Sequence, residues 1–465
     1  MSSEVRGARC GVRGSLRAIK TCNLNIEVEE IIKYIIKFLV GDHVPEDIAE
    51  LIGYTSQEED YTQYKLVIKP SEFFEDRIYG TLDSLPKLPL KLWEEIPILF
   101  GEPTEEMVED TLVLHADIVA GTYFLISRYE ETVRRDVRDA HRRFPGKESL
   151  PYRAGFIDRP IIEEWGAMLR RKLREMGVEA NDPPCKINKV YLTHDVDQLA
   201  HYRNIRGMMG GILRGIRRPK EAKQAIKSYF GGLIFDPWYT FPYLFKLDTE
   251  LHKKMGKEDC EMITFIRSHN SKRKEDKPIV NLAHPDYKQL IRYIKRKKIA
   301  IGLHTSYEAG CNPTLIAEEK KRLEKFTRLK INYSRSHFLN NREPEDFEYH
   351  ISSGITDDFS MGYADIAGFR LGTCRKVRWI NPVEKKLTNL RLHHLTIMDV
   401  TLSEKKYMFM NAHEAFQYCK RLINTVRNAH GEISFLWHNN SVEKNVNSYH
   451  RTLYKDVLKY LQKEL

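Results

Sequence analysis

The stretch that decides the fold is Lys189–Asp197, with the sequence KVYLTHDVD. Its first part, Lys189–Thr193, is typical of a short buried strand, and two carboxylates follow it. Side chains of a strand point alternately to its two faces, so Asp195 and Asp197 share one side if the strand continues through them. Two carboxylates in one site repel each other unless a cation lies close to them. A helix N-cap followed by a surface aspartate would explain the same residues without any chemistry, so the other strands must decide.

Four further β-like runs follow along the chain, and helical segments separate them. The predicted strands are Met262–Ile266, Ile299–Leu303, Ile331–Ser334 and Ile433–Trp437. The predicted helices cover about Asp286–Lys298, Thr314–Leu329, Pro344–Ser352 and Asn411–Ala429. Strands that alternate with helices of about 10–15 residues are typical of βαβ units in a parallel sheet, either open or closed as a barrel. The pattern therefore predicts an α/β fold.

Each of the five predicted strands ends in polar residues. These strand ends are His194–Asp197, Arg267–His269, His304–Glu308, Arg335–His337 and His438–Asn440, in chain order. In parallel α/β folds the functional side chains collect at the carboxyl ends of the strands. Five strands that deliver His, Asp or Arg at the same end therefore predict one functional cleft.

The chain before these strands has a different pattern. A length of 465 residues favours two or three domains. The string NDPP at 181–184 cannot continue a helix, so we predict an N-terminal α+β domain over 25–183 and a second domain over 184–465. Helices are predicted there around Ile31–Leu39, Ala116–Val137 and Ile161–Met176. Residues 1–24 are predicted to be a basic, disordered tail rather than a transit peptide.

The composition excludes several classes of protein. A hydrophobic fraction of 42% with 30% charged residues is typical of a globular protein and not of a disordered one. No apolar stretch approaches the ~20 residues that a transmembrane helix needs. Seven cysteines without a CxxC pair argue against a disulfide framework and a structural zinc site. They favour a reducing compartment, so a cytoplasmic location is predicted.

Basic residues are concentrated between His201 and Lys227, where eight Arg and Lys residues accompany Glu221 as the single acidic residue. A phosphate group or an acidic glycan would suit this segment. Four glycines in the same stretch instead favour a mobile loop with solvated charges. No nucleic-acid-binding motif accompanies the charge, so no nucleic-acid partner is expected.

Three of the strand-end residues form a candidate metal site. Glu308 lies four residues after His304, a spacing that brings the two side chains together if a helical turn starts there. With Asp197 they make a set of two carboxylates and one imidazole, which suits a divalent metal with open positions. His438 ends the last strand, and a histidine that titrates near neutrality is suited to protonate a leaving amine. Taken singly, each histidine is better explained by a structural role such as packing or capping.

Together these motifs resemble those of the polysaccharide deacetylases, the NodB-homology or carbohydrate esterase family 4 superfamily. The resemblance is carried by TxDxD at Thr193–Asp197, GLHTS at Gly302–Ser306, the block Arg335–His337 and LWHN at Leu436–Asn439. It covers about Lys186–Leu465 and implies a distorted (β/α) barrel. The N-terminal region resembles the accessory domain of unknown role that precedes some such barrels.

The resemblance also implies a role for each residue. Asp195 would be the catalytic base, Arg335 would orient it, and His438 would be the general acid. Asp197 and His304 would bind a divalent metal ion, zinc by preference. The family places its second metal-binding histidine four residues after the first, where this chain has Glu308. A carboxylate can bind zinc, so either a rearranged site or a metal-free site follows.

Three further residues are predicted to contact the substrate. They are His337, Arg370 in the GFRLGT run at Gly368–Thr373, and Trp437. An arginine among glycines is typical of a backbone that approaches a ligand closely, although a surface turn with a solvated arginine explains it as well.

Two functions follow from these predictions. The first is a metal-dependent hydrolase that removes an N-acetyl group from an acetamido sugar or polysaccharide, with or without a lipid or phosphate linkage on that carbohydrate. The second is a non-catalytic glycan-binding barrel with a degenerate metal site and Trp437 as a platform for sugar rings. Glu308 separates them at this stage: a metal near Asp197 and His304 would favour the enzyme, and a Glu308 salt bridge would favour the binding protein.

Overall fold

The computed structural model describes residues 26–269, 271–444 and 449–464. The basic tail predicted for residues 1–24 lies outside these ranges. An N-terminal region up to residue 183 is followed by a C-terminal region that carries the strands with polar ends. The two regions share one continuous hydrophobic core.

The N-terminal region contains both helices and a sheet. Its helices are α1 (Ile26–Val40), α2 (Ile118–Ile126), α3 (Tyr129–Val133), α4 (Leu150–Arg153) and α5 (Ile161–Glu175). Its strands are β1 (Ile52–Tyr54), β2 (Leu66–Ile68), β3 (Lys91–Trp93), β4 (Ile96–Ile98), β5 (Gly101–Val108) and β6 (Thr111–Ala116). The sheet order is β1-β2-β6-β5, with β5 antiparallel to β6, and β3 and β4 form a separate hairpin.

Helix α1 joins the two regions. Its apolar residues recur with helical spacing, and Ile31, Ile35 and Leu39 are completely buried. The helix packs against α5 of its own region and against the C-terminal sheet. The N-terminal region is therefore held by the core of the molecule.

The helix predicted from Ala116 to about Val137 is divided into α2 and α3. Arg128 stands between them with a φ of 60°, which a continuous α-helix does not allow. Its buried guanidinium donates hydrogen bonds to Glu131 and to Asn341 of the C-terminal region. The local helical pattern is thus overridden by a contact between the two regions.

The C-terminal region continues the series of helices and strands. Its strands are β7 (Lys189–Val196), β8 (Cys260–Ile266), β9 (Ala300–Thr305), β10 (Tyr333–Ser336), β11 (Asp357–Met361), β12 (Val377–Asn381), β13 (Lys386–His394), β14 (Ile397–Met398) and β15 (Glu432–Leu436). Its helices are α6 (Ile205–Arg214), α7 (Pro219–Gly231), α8 (Phe241–Met255), α9 (Pro285–Arg296), α10 (Ile316–Thr327), α11 (Phe347–Ser352), α12 (Asp399–Ser403), α13 (Ala412–Asn428) and α14 (Tyr449–Lys463).

These strands form one curled sheet with the order β12-β13-β11-β10-β9-β8-β7-β15-β14. All neighbours are parallel except β12 and β13, so the α/β prediction is confirmed. Within the described residues no pairing joins β12 to β14, so the sheet is a curled half-barrel, and the complete (β/α) barrel that the resemblance implied in distorted form is not shown. All five predicted strands are present with shifted ends, whereas β11 to β14 were not predicted.

The segment predicted as a mobile loop is helical. It forms α6 and α7, and Asn204 caps α6 by accepting a hydrogen bond from the backbone N–H of Gly207. Pro219 begins α7, where its missing N–H costs nothing. Two of the four glycines that suggested a loop, Gly211 and Gly215, lie instead where the two helices touch.

None of the helices in the described parts of the chain has the length and apolar character needed to cross a membrane. The five cysteines within those parts are all free thiols. They are Cys185, Cys260, Cys311, Cys374 and Cys419.

Candidate active site

Strand β7 presents two carboxylates to one cleft. It continues to Val196 instead of ending at Thr193, so strand alternation carries Asp195 and Asp197 to the same side. Asp195 is buried, whereas the side chain of Asp197 keeps 35% of its surface exposed. The inner carboxylate is therefore enclosed by protein, and the outer one faces the opening of the cleft.

Asp197, His304 and His337 form a cluster that is suited to a metal ion. One potential ligand atom from each lies within 4.8 Å of the others. His304 Nε2 is 3.0 Å from Asp197 Oδ1, and His337 Nε2 is 3.4 Å from the same oxygen. The three side chains come from the ends of β7, β9 and β10. Strands β9 and β10 are neighbours in the sheet, and β8 lies between β9 and β7.

The ring nitrogens that point away from the cluster have acceptors as partners. His304 Nδ1 donates to the main-chain oxygen of Arg335 at 2.9 Å, and His337 Nδ1 donates to Asp276 Oδ1 at 3.2 Å. Because a carbonyl and a carboxylate only accept, each Nδ1 carries a hydrogen, and each Nε2 is the ring nitrogen directed at the Asp197 carboxylate. Metal-binding histidines are held in this way, so the donor set fits a divalent cation.

Burial and neighbouring charges shift the pKa values of two residues of the cluster, His337 and Asp197. Burial lowers the pKa of His337, which keeps the ring neutral as a metal ligand must be. Burial raises the pKa of Asp197, but the opposite effect of His337, His304 and His438 is larger, so the pKa of this carboxyl lies well below its usual value. The outer carboxylate is thus ionised, as a carboxylate that binds a cation must be.

Arg335 fixes the inner carboxylate. Its fully buried guanidinium donates through Nη1 to Asp195 Oδ1 at 3.1 Å and to Thr193 Oγ1 at 2.6 Å. The other carboxylate oxygen, Oδ2, lies 3.7 Å from His304 Nε2. One oxygen of Asp195 is therefore held by the ion pair, while the second lies against the cluster of Asp197, His304 and His337.

His438 is held on the cleft by a carboxylate of its own. Its Nδ1 donates to Asp399 Oδ1 at 2.7 Å, its backbone N–H donates to Oδ2 at 2.8 Å, and its Nε2 is 3.6 Å from Asp197 Oδ2. Burial lowers the pKa of His438, but Asp399 above all, and then Asp197 and Asp195, raise it to about 10. The imidazole therefore carries a proton that faces the cleft.

The five side chains line a cleft of about 250 Å³. Its wall also includes Arg143 from the N-terminal region and Tyr407. A larger cavity of about 590 Å³ lies elsewhere, between α5 and α13, and is lined by arginines and acidic residues, among them the ion pairs Arg170–Asp182 and Arg375–Glu163. The chemistry suggested by the strand ends belongs to the smaller cleft.

Glu308 does not join the cluster. Strand β9 runs on to Thr305 and a turn follows, so no helical face aligns Glu308 with His304 as the spacing had predicted. Its carboxylate lies 3.4 Å from His269 Nε2, as an ion pair when that ring is protonated. A Glu308 salt bridge was expected to favour the glycan-binding protein. However, His337 completes a set of three possible metal ligands with Asp197 and His304, so the position of Glu308 does not distinguish the two functions.

Two of the predicted substrate contacts are enclosed by protein. Arg370 donates through Nε and Nη2 to the two carboxylate oxygens of Glu131, at 3.0 and 2.8 Å, and is absent from the wall of the cleft. Trp437 has no exposed surface because it packs on Tyr454, with ring centroids 4.9 Å apart. Neither residue is free to contact a sugar. His337, the third predicted substrate contact, lies in the cluster with Asp197 and His304.

The N-terminal region supports the cleft directly. Arg143 donates through Nη1 to the main-chain oxygen of Phe338 at 2.7 Å and is itself paired with Asp139 at 2.7 Å. Phe338 and Leu339 follow His337 immediately and have φ angles of 60° and 52°. This contact depends on packing between distant parts of the chain, so no sequence signal announces it.

Comparison with known proteins gives one family match and one structural similarity. Residues 24–177 match the model of a family described as a family of unknown function, DUF7033, which leaves the three-residue cluster outside the match. No curated protein matches the sequence. Among solved structures, the chain is similar to one described as "Crystal structure of putative polysaccharide deacetylase from Mycobacterium smegmatis". That similarity has a TM-score of 0.38 at 12% sequence identity and covers 61% of this chain and 86% of that chain.

Proposed function

We propose that this protein is a metal-dependent hydrolase that removes an N-acetyl group from an acetamido sugar or polysaccharide. The observation that carries the proposal is the cluster of Asp197, His304 and His337, with Asp195 and His438 each within 4 Å of one of its members. A metal site, a base and an acid then share one cleft. These are the groups that hydrolysis of an amide requires.

Asp197, His304 and His337 would hold the ion, and zinc suits a set of two imidazoles and one carboxylate. Three protein ligands leave a coordination position open, as in catalytic rather than structural zinc sites. When bound, the ion would act as a Lewis acid on an amide carbonyl group and on water.

Asp195 is placed to accept a proton from the attacking water. Its Oδ1 is fixed by Arg335, so Oδ2 is the oxygen that remains toward the cluster. A base that is held by a buried ion pair needs no reorganisation when the proton arrives. Arg335 thus positions the base and does not itself meet the substrate.

His438 is placed to give a proton to the departing amine. Its Nδ1 hydrogen is engaged by Asp399, so the proton on Nε2 is the one that faces the cleft. The leaving nitrogen of an amide must be protonated before the bond to carbon breaks, and a positioned imidazolium supplies that proton.

The choice of an acetamido sugar rests on the resemblance of the four strand-end motifs to those of polysaccharide deacetylases. The alternative of a glycan-binding protein is less well supported, because its platform, Trp437, is completely buried.

Acetate release from N-acetylated chitin oligosaccharides tests the proposal, after zinc or cobalt has been added to the purified protein. We expect metal-dependent release that falls by roughly 10²–10⁴-fold in Asp195→Asn, the usual range for a lost base. Glu308→Gln is the matched control, because it removes a carboxylate that lies outside the cluster and should leave release unchanged. Glycan binding without any release, in protein shown to hold metal, would support the binding protein instead.

A further inference from the structure

Helices α6 and α7 form a hairpin with an unusually apolar outer surface. Among the described residues, nineteen large hydrophobic side chains are exposed, and eight of them lie within residues 205–235. These eight are Ile205, Met209, Leu213, Ile216, Ile226, Phe230, Ile234 and Phe235. A contiguous exposed apolar patch marks a surface that binds a partner.

The exposed side chains of α6 form one stripe. Ile205, Met209 and Leu213 follow each other at intervals of four residues, and Ile216 continues the face into the turn between the helices. Ile216 is 81% exposed, and Phe230 on α7 is 75% exposed. In a hairpin that meets only water, a stripe of this kind would be turned toward the protein.

Small residues occupy the contact between the two helices. A Cβ atom added to Gly211 would lie 2.5 Å from the Cβ of Ala225, and one added to Gly215 would lie 2.2 Å from the Cβ of Ala222. The helices are therefore too close for large side chains to fit between them. The large apolar residues are directed outward by the construction of the hairpin itself.

The charge around this stripe is strongly positive. Residues 205–235 include seven Arg and Lys residues and one acidic residue, Glu221, which is paired with Arg214. Lys223 and Lys227 flank Ile226 on α7, where their apolar stems can lie along the patch while the ammonium groups reach outward. Two copies of such a surface would repel each other, and a surface with both negative charge and apolar depth would attract it.

The hairpin is fixed to the rest of the protein. The Asp236 carboxylate accepts hydrogen bonds from Ser228 Oγ at 2.7 Å and from the backbone N–H groups of His201 and Tyr202 at 2.9 Å. Arg203 forms a two-point ion pair with Asp286. The apolar surface is therefore presented in one orientation.

We propose that this hairpin binds the surface of an anionic phospholipid bilayer. The stripe of α6 and Phe230 would enter the boundary between headgroups and acyl chains, with the basic side chains at the phosphates. The base of the hairpin adjoins the candidate active site, because Asn439, next to His438, donates to the main-chain oxygens of Gln198 and Trp238. Binding would bring the cleft close to the lipid surface.

Co-sedimentation of the full-length protein with vesicles tests this proposal. Phosphatidylcholine vesicles with and without phosphatidylserine are compared, at low and at high salt. We expect binding to the anionic vesicles that weakens with salt, and a loss of roughly tenfold or more in affinity for the double variant Leu213→Glu/Phe230→Glu. The double variant Leu82→Glu/Met107→Glu, which changes exposed apolar residues of the N-terminal region, should bind like the parent.

Three results would overturn the proposal. The first is no binding to anionic vesicles at low salt, and the second is undiminished binding by the hairpin variant. The third is that the parent does not bind vesicles but forms a stable dimer, or a complex with duplex DNA, and that the hairpin variant does not. Circular dichroism establishes that each variant is folded, and since vesicle binding needs no substrate, the result is independent of the proposed hydrolase activity.

Discussion

Asp276 and Asp399 each hold one imidazole ring of the candidate site by its Nδ1 atom. Asp276 binds His337, and hydrogen bonds from that ring and from the backbone N–H groups of Tyr307 and Glu308 keep the pKa of this carboxyl below its usual value even though burial raises it. Each ring is therefore fixed in orientation before any ligand arrives. Such outer partners typically affect metal affinity or activity by about 10–100-fold.

The first prediction concerns the third metal ligand. His337→Gln should abolish stoichiometric zinc binding, because two ligands remain of three. Glu308→Gln should bind zinc like the parent, and Glu308→His should not raise activity. Metal content after dialysis against zinc, measured by plasma mass spectrometry, checks the first two variants, and acetate release from N-acetylated chitin oligosaccharides checks the third. Loss of zinc in Glu308→Gln with retention in His337→Gln would show that the assignment is reversed.

The second prediction concerns Asp399 as a positioning residue. Asp399→Asn keeps the shape but removes the charge that stabilises the His438 imidazolium, so kcat should fall by roughly 10²-fold or more while zinc content stays unchanged. Loss of this charge also lowers the pKa of His438, so the pH–rate profile should change its shape. An unaltered pH profile with a normal rate would remove His438 from the role of acid.

At the scale of single residues, the sequence predicted side chains that stand at strand ends and missed the two aspartates that hold the imidazole rings of His337 and His438. Asp197, His304 and His438 follow apolar runs, and that pattern is visible. Asp276 lies in a short helical turn within a loop, and Asp399 follows β14, a strand of only two residues. Neither leaves a periodic signal.

At the scale of elements, the segment after β10 is the most constrained part of the site. Phe338 and Leu339 both have positive φ angles directly after His337, which an L-residue adopts at a cost. The hydrogen bond from Arg143 to the Phe338 carbonyl holds this segment from the N-terminal side. The position of His337 therefore depends on the N-terminal region.

The third prediction follows from this contact. Arg143→Ala removes a hydrogen bond with a charged donor, a contribution of about 1.5–3 kcal/mol, and should lower zinc affinity by roughly tenfold or more. Isothermal titration with zinc measures the change. Arg142→Gln is the control, because the neighbouring side chain is exposed and should have no effect. Equal zinc affinity in Arg143→Ala would leave the N-terminal region without a role in the metal site.

Elements were predictable where one apolar pattern dominates. Strand β9 is such a case, and only its ends were shifted. Strand β11, with the sequence DDFSM, is hidden because polar residues fill it and are satisfied inside the fold: Asp357 is paired with Arg391, and Asp358 accepts from Ser334. The α6–α7 hairpin was hidden because its glycines suggested a loop, whereas Gly211 and Gly215 are packing residues between the two helices.

At the scale of the whole molecule, a buried ion-pair network joins the N-terminal and C-terminal regions. Glu131 lies between Arg128 and Arg370, and Arg128 also donates to Asn341. Burial raises the pKa of Glu131, but the opposite effect of the two guanidinium groups is larger and lowers this pKa to about 2. The carboxylate is therefore ionised at neutral pH and forms ion pairs with two buried guanidinium groups.

The fourth prediction is that this network controls stability in acid. The stabilisation from Glu131 is complete above its unfolded pKa of about 4.5 and is lost as the pH falls toward 2, a change of about 3 kcal/mol. Glu131→Gln should cost about 3–5 kcal/mol at pH 7, because it leaves buried cations unpaired, and should flatten the acid dependence. Denaturant unfolding from pH 7 to pH 2 measures both effects. Glu102→Gln, which breaks an exposed pair with Lys91, should leave stability nearly unchanged.

The overall class of the fold follows from the alternation of strands and helices, and the closure of the sheet does not. Whether a curled sheet closes depends on how its edges are covered, and here the edge at β12 and β13 packs against helices α1 and α2 of the N-terminal region. The Glu131–Arg370 pair has the same origin. Arg370 is flanked by glycines, a pattern that also suits a ligand site, and only its partner 239 residues away distinguishes the two.

Anomalous diffraction from zinc in crystals of the protein is the most direct test of the metal site. We expect one strong peak about 2.0–2.2 Å from a carboxylate oxygen of Asp197 and from Nε2 of His304 and His337. Asp195 and His438 should lie beside it without binding it. A peak between Glu308 and His269, or no peak in the cleft at saturating zinc, would contradict the metal site and with it the proposed hydrolysis.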